Sequence, residues 1–438
     1  MDLLHRKGRE DSLRGSPGQG VHGRRGRGRQ AQGVECPVGP MRFSNLADRL
    51  AAKRNRLYTE HEKAAASGRT ILDLISTNPA EQGWVFPQER LQAILADAAP
   101  RARVYRPDPL GLPSAREAIA DFYRTAGIPA SADQVLITPG TSLSYFYCFK
   151  LLASPGEEIL CPRPSYPLFE SIAELAGLRL RYYRLQESRG WEIDLDHLES
   201  QISTRTRALV LISPHNPTGM VAGGQSLEEL AAVACRHELP ILADEVFSEF
   251  LYDLEALPRP AATPAPLVFT LNGFSKMAAL PGLKLGWIVL TGGHARVRRS
   301  LEVMELISDT FLPVNDLAQH MVSGIFEDRE AFASALGPWL QRCRQIATTR
   351  LSQCPGVRFT PPRGGFHLTL KVGGAEVDEE ALCIHLLKES GVLVHPGYFY
   401  DMPPAHLVLT FALRHELLDR SLKALCEGIR EWEQRRDS

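Results

Sequence analysis

Seven short apolar runs, at 134–138, 158–161, 178–183, 208–212, 240–243, 267–271 and 285–291, leave few architectures open to this chain. Near-continuously apolar strands that alternate with helix-length segments form mostly parallel sheets covered on both faces. In such sheets ligands gather beyond the C-terminal strand ends, where loops and helix N-termini meet. The polar motifs of the central segment stand at or just after those ends.

The flanking segments read differently. A helical pattern at 43–63 leads to a short strand at 71–75, which stops at the polar turn Ser76-Thr77-Asn78-Pro79. Helices are expected at 87–98 and 114–125, the second with Ser114 as N-cap and Glu117 completing a capping box. From about 316 the helices lengthen, with 329–352 the longest. Strands at 357–360, 366–371, 392–395 and 406–411 follow, and a charged amphipathic helix at 416–434 closes the chain. The expected partition is a disordered Gly/Arg-rich segment over 1–40, an N-terminal arm with part of a small domain over 41–98, a large α/β domain with a seven-stranded sheet over 99–315, and a smaller α+β domain over 316–438.

Composition narrows the partners. A net charge of -1 over 438 residues offers no electrostatic case for nucleic acid or membrane binding, so small ligands are expected. The eight cysteines contain no CxxC pair, which argues against a zinc site and a disulfide framework and suits a reducing cytoplasm. No apolar run reaches the length of a membrane helix. Metal chemistry is not expected.

Chemistry is carried by a series of motifs. Ser275-Lys276 follows an apolar strand and precedes the turn Pro281-Gly282, with Lys284 eight residues on. A lysine in apolar surroundings loses part of its preference for charge and becomes an amine nucleophile toward an aldehyde. Gly140-Thr141-Ser142 opens a helix after a strand, where backbone N–H groups suit a phosphate. Tyr166 lies between two prolines and can present a flat ring; Asn216-Pro217-Thr218-Gly219 fixes an amide at a strand end; Asp244 puts a carboxylate at another. Taken singly, each is also an ordinary capped turn, buried turn residue or surface lysine.

Taken in order, the series resembles the class I/II aminotransferases of pyridoxal-phosphate fold type I, over about residue 43 to the C-terminus. The resemblance implies an enzyme that moves an amino group from an amino acid or related amine to a 2-oxo acid or other carbonyl acceptor, with pyridoxal 5'-phosphate as cofactor. Lys276 looks like the Schiff-base lysine and proton carrier, Asp244 like the partner of the pyridinium nitrogen, Tyr166 like the stacking ring and Asn216 like the donor to the ring 3-oxygen. Gly140, Thr141, Ser142, Ser275 and Lys284 are similar to phosphate ligands. Tyr105 resembles a tyrosine that reaches the phosphate of a neighbouring subunit, which implies a homodimer with shared active sites.

Departures from the pattern concern the substrate end. Phe247 stands where the family commonly has a tyrosine, Lys284 where it has an arginine, and Thr77 where a glycine is common. In the 406–411 run, Val408 occupies the place of the arginine that grips the substrate carboxylate. Arg106 and Arg363 are candidate replacements, and Asn78 and His395 further candidate substrate contacts. Without a fixed carboxylate the bond broken at Cα is less defined, so a β-lyase or decarboxylase of the same fold is the alternative.

Overall fold

The structure is a computed structural model that describes residues 43–50, 55–374 and 376–436. The segment 1–40 lies outside them. Its largest element is an eight-stranded sheet, ordered Val135–Thr138, Gly286–Gly292, Leu267–Gly273, Ile241–Asp244, Thr206–Ile212, Glu158–Arg163, Arg179–Gln186 and Glu192–Ile193. The five strands from Leu267–Gly273 to Arg179–Gln186 pair in parallel; Gly286–Gly292 runs antiparallel to both its neighbours. Seven of these strands are the apolar runs of the sequence. The eighth, Glu192–Ile193, is a two-residue antiparallel edge, too short to leave a periodic signal.

Helices cover both faces because the strands are apolar on both. Thr141–Leu152, Leu168–Ala176 and His294–Phe311 pack Tyr145, Phe149, Phe169 and Met304 on one face, against Leu136, Phe269 and Leu271. Gly224–Arg236 packs Leu227, Leu230 and Ala231 on the other, against Leu209, Leu211 and Ile241. Each of these large side chains contributes about 1.5–3 kcal/mol by leaving water.

The smaller domain is built on a four-stranded antiparallel sheet, ordered Val357–Arg358, His367–Val372, His406–Thr410 and His395–Pro396. The run expected as one strand at 392–395 is divided. Val392–Leu393 pairs in parallel with Leu72–Asp73, and the next strand turns into the four-stranded sheet. The Leu72–Asp73 pairing fixes the N-terminal segment to the C-terminal domain. Helix Val322–Ser352 spans 31 residues and packs with the closing helix His415–Arg436.

One expected cap is replaced. The helix read at 114–125 begins at Pro113, with Leu112 at the N-cap position and no side-chain cap, so Ser114 lies inside the first turn. Proline's fixed φ suits the first helical position, and its missing N–H costs nothing there.

Candidate active site

Three glycines bring the ends of the central strands together. A Cβ on Gly286 would lie 2.9 Å from the Asn272 carbonyl oxygen and 3.0 Å from the Cα of Gly140, and one on Gly273 would lie 2.9 Å from the Cα of Gly286. Backbone therefore touches backbone at this point, and no larger residue fits without displacing the strands. Gly140, with φ 131°, delivers the chain into helix Thr141–Leu152. Its first residues, Thr141 and Ser142, expose backbone N–H groups beside this junction. Ser275 lies in the short helix Phe274–Met277 and Lys284 follows at φ 52°.

Lys276 projects from that short helix, half-buried. Its Nζ donates to the carbonyl oxygen of Thr77 at 3.1 Å and to Thr77 Oγ1 at 3.2 Å. Loss of hydration pulls its pKa down to about 8, while the Glu81 carboxylate acts in the opposite direction. The amine is thus far closer to neutrality at physiological pH than an ordinary lysine.

Asp244 ends the Ile241–Asp244 strand, almost fully buried. Its Oδ2 accepts from the Tyr145 hydroxyl at 2.9 Å and its Oδ1 from the Val246 N–H at 3.1 Å. Burial raises its pKa to about 6, against the pull of those two donors. A cation placed against it would return it to the charged form. Tyr145 lies one helical turn beyond Thr141 and packs edge-on to Phe169 at 4.8 Å, which in turn meets the half-buried Tyr166 edge-on at 6.1 Å. The turn before Tyr166 is tied to the smaller domain by the Ser165 N–H, which donates to the Tyr400 carbonyl at 2.7 Å.

Asn216 stands beyond the Thr206–Ile212 strand, and its Oδ1 is buried without a hydrogen-bond partner. Such an orphan costs about 1–3 kcal/mol unless a ligand satisfies it, and a 180° turn of the amide presents N–H groups instead. Its neighbour His215 holds Thr218 Oγ1 at 2.9 Å from Nδ1, with a pKa lowered to about 3 by burial.

The smaller domain closes the space over Lys276. Phe247 places its ring centroid 5.9 Å from Lys276 Nζ and meets His367 edge-on at 5.6 Å. His367 is buried and its pKa falls to about 3, from desolvation first and then from the charges of Lys276, His395 and His215. His395 is bracketed by two hydroxyls, Tyr58 at 2.9 Å from Nε2 and Tyr400 at 3.0 Å from Nδ1. Val408 is 1% exposed and pairs directly opposite both Thr369 and His395.

The structure gathers Lys276, Asp244, Tyr166, Asn216 and the Gly140 junction at the C-terminal ends of the parallel strands, with His395 on the smaller domain facing them. Asn78 lies in the turn whose Thr77 contacts Lys276, and its side chain is engaged with Glu81 at 3.3 Å. Tyr105 is 68% exposed and Arg106 is exposed in the same loop. Arg363 is also exposed; it lines a separate cavity of about 170 Å³ with Arg189, Thr218 and Thr360. Sequence reasoning missed Tyr145, Tyr58 and His367. Tyr145 had a signal, four residues after Thr141 on one helix face, and His367 had one in the alternation of its strand.

The chain as a whole is similar to known proteins. The family described as aminotransferase class I and II matches residues 74–425. An alanine aminotransferase of Mycobacterium tuberculosis H37Rv is 32% identical over 376 residues, 84% of this chain and 87% of that protein. The glutamate-pyruvate aminotransferase AlaA of Escherichia coli K12 is 30% identical over 390 residues, 87% and 96%. A crystal structure of an Escherichia coli aminotransferase superposes with a TM-score of 0.80 at 28% identity, covering 90% of this chain and 99% of that one. The alanine aminotransferase of Pyrococcus furiosus shares the fold, with a TM-score of 0.82 at 24% identity, covering 89% and 100%.

The chain belongs to the class I and II aminotransferases. It is a pyridoxal-phosphate-dependent transferase of fold type I. The residues present fit that cofactor: a desolvated lysine, a buried carboxylate, an orphaned amide and a glycine junction at a helix N-terminus converge on one space.

Proposed function

We propose that this enzyme takes the amino group of L-glutamate and delivers it to pyruvate, with Lys276 as the group that carries the proton at the donor's Cα. The named relatives support the substrate pair. The single observation that carries the residue assignment is that the buried Asp244 ends one parallel strand while Lys276, with a pKa of about 8, stands just beyond the end of the next.

Bound pyridoxal phosphate supplies an electron sink for the charge left at Cα when its proton is removed. The chain's own residues do the rest. Asp244, held by Tyr145, offers a carboxylate to a protonated ring nitrogen. Asn216 offers its amide to the ring oxygen and Tyr166 a flat side chain. Gly140, Thr141, Ser142, Ser275 and Lys284 form the phosphate end. Lys276, released by substrate, moves a proton with little energetic cost because its pKa lies near the working pH. The domain closing over Phe247 and His367 excludes water.

We also assign the active unit as a homodimer in which Tyr105 serves the neighbouring subunit's phosphate site. The exposure of Tyr105 and Val104, at 68% and 60%, supports this, as do the exposed Leu306, Phe311 and Leu312. The unpaired thiols of the seven described cysteines suit a reducing cytoplasm. Among the described residues no helix is long and apolar enough to cross a membrane. We retain the division into an arm, a large cofactor domain over 99–315 and a small domain.

The test is a half-reaction. Protein loaded with pyridoxal phosphate and mixed with L-glutamate should yield pyridoxamine phosphate and one equivalent of 2-oxoglutarate, followed by absorbance and mass analysis. The apolar Val408 favours one second reading, a β-lyase or decarboxylase. Release of ammonia or carbon dioxide with the cofactor restored would establish it and end the transamination proposal.

A further inference from the structure

Strand pairing settles what the smaller domain shows to Lys276. Residues directly opposite in antiparallel strands point to the same face, as do residues two apart along one strand. His367 pairs with Thr410, Thr369 with Val408, and His395 with Val408, so these five side chains share one face of the sheet. Leu368, Leu370, Leu407 and Leu409 point the other way, into the domain's own core. Val408 instead belongs to the hydrophobic cluster that includes Leu160 and Met220 of the large domain, so its face is the one turned to that domain.

On that face the polar groups are not equally free. Thr410 Oγ1 donates to the Phe366 carbonyl at 3.0 Å, and both ring nitrogens of His395 are held by Tyr58 and Tyr400. His367 is 5% exposed, and among the described residues neither of its ring nitrogens has a hydrogen-bond partner. Neither ring nitrogen is among the sealed polar atoms that lack a partner, so both remain open to something that enters the cleft. It stands in the electrostatic neighbourhood of Lys276, with Phe247 against its ring. The arginines considered for the substrate carboxylate, Arg106 and Arg363, are by contrast exposed.

We propose that His367 binds the carboxylate of the amino donor, with His395 and its two tyrosines beside it, and that it takes over the role left vacant by the apolar Val408. The inference rests on the aminotransferase reading of this cleft. His367 donates an N–H to the carboxylate. The incoming negative charge also meets Lys276, the cationic neighbour that adds to desolvation in keeping the ring neutral. The groups around His367 are then Lys276 from the short helix, His215 from the Asn216 turn, His395 from the strand beyond His406–Thr410 and Phe247 from the loop after Asp244. Tyr58 and Tyr400 lie behind His395.

Two measurements on the holoenzyme test this. Calorimetric titration with propionate, a carboxylate with no amino group, reads the subsite without turnover. The half-reaction is run with L-alanine and with propan-2-amine, which replaces the carboxylate by a methyl group. In His367→Phe, propionate affinity and the KM for L-alanine should each worsen by about tenfold or more, the loss of a hydrogen bond to a charged group. The constants for propan-2-amine should move little. His367→Asn, which keeps an N–H donor, should retain most of the binding, and adding Val408→Arg to His367→Phe should restore it. Unchanged propionate binding in both His367 variants, or no propionate binding to the wild type, overturns the proposal. Loss of propionate binding in His367→Phe, in a protein that transfers no amino group from any donor, would uphold the subsite and sink the aminotransferase reading instead.

Discussion

At the scale of single residues, the site is governed by desolvation. The charged form of Lys276 is disfavoured by burial, so the folded apoprotein pays for it at neutral pH. The folded pKa of about 8 lies below the ordinary lysine value of 10.5. The cost is full below pH 8 and disappears as pH rises to 10.5, where the unfolded chain also loses its proton. Apoprotein carrying Lys276→Met should therefore be more stable than wild type at pH 7, by at most about 3 kcal/mol. The gap should close between pH 8 and 10.5 in urea titrations. The same group predicts that cofactor uptake by wild-type apoprotein quickens as pH rises through about 8 and then levels, measurable by stopped-flow absorbance.

Asp244 behaves in the opposite sense, raised to about 6 despite the Tyr145 hydroxyl. Removing that hydroxyl should raise it further and weaken the grip on a protonated ring nitrogen. Tyr145→Phe is expected to loosen pyridoxal phosphate by about tenfold, the value of one hydrogen bond to a charged group, in fluorescence titrations. An unchanged dissociation constant would count against Asp244 as the ring partner.

At the scale of elements, the fold was legible where burial and period agree. The largely apolar strands 135–138, 206–212 and 267–273 stood out because both faces are covered, and their polar ends marked the site. Lys276, Asp244 and Asn216 were readable for the same reason, each standing at the C-terminal end of a strand or within four residues of it. Ser114 misled because a cap competes with a proline one position earlier, and the proline's fixed torsion prevails. Glu192–Ile193 is a strand only through its neighbour. His367 escaped because the alternation of its strand gives only the face it occupies, while what that face meets depends on strand pairing across some forty residues.

The Gly140, Gly273 and Gly286 junction allows a sharp test at this scale. Gly286→Ala should destabilise the large domain by about 1–3 kcal/mol or more, because its methyl would meet backbone that cannot rotate aside. Thermal melts of the apoprotein report it directly. Gly282→Ala is the control, with open space around its position.

At the scale of the whole molecule, two subunits should share each site. Mixing Lys276→Met subunits with Tyr105→Ala subunits, each nearly inactive alone, should recover about a quarter of wild-type activity after subunit exchange, the statistical yield of mixed dimers with one intact site. Recovery absent from a mixture shown by sedimentation to contain mixed dimers would place Tyr105 in its own subunit's site or outside both.

The glycine junction also bears on how such an enzyme can acquire new substrates. Where backbones touch, there is no side chain to exchange, so this end of the cleft admits almost no variation. The opposite wall is a sheet face whose five side chains project from three strands, and any one can be replaced without moving the strands. Mutational drift is thereby channelled to one side of the cleft: a lineage can change what it accepts while the machinery that performs the transfer stays as it was.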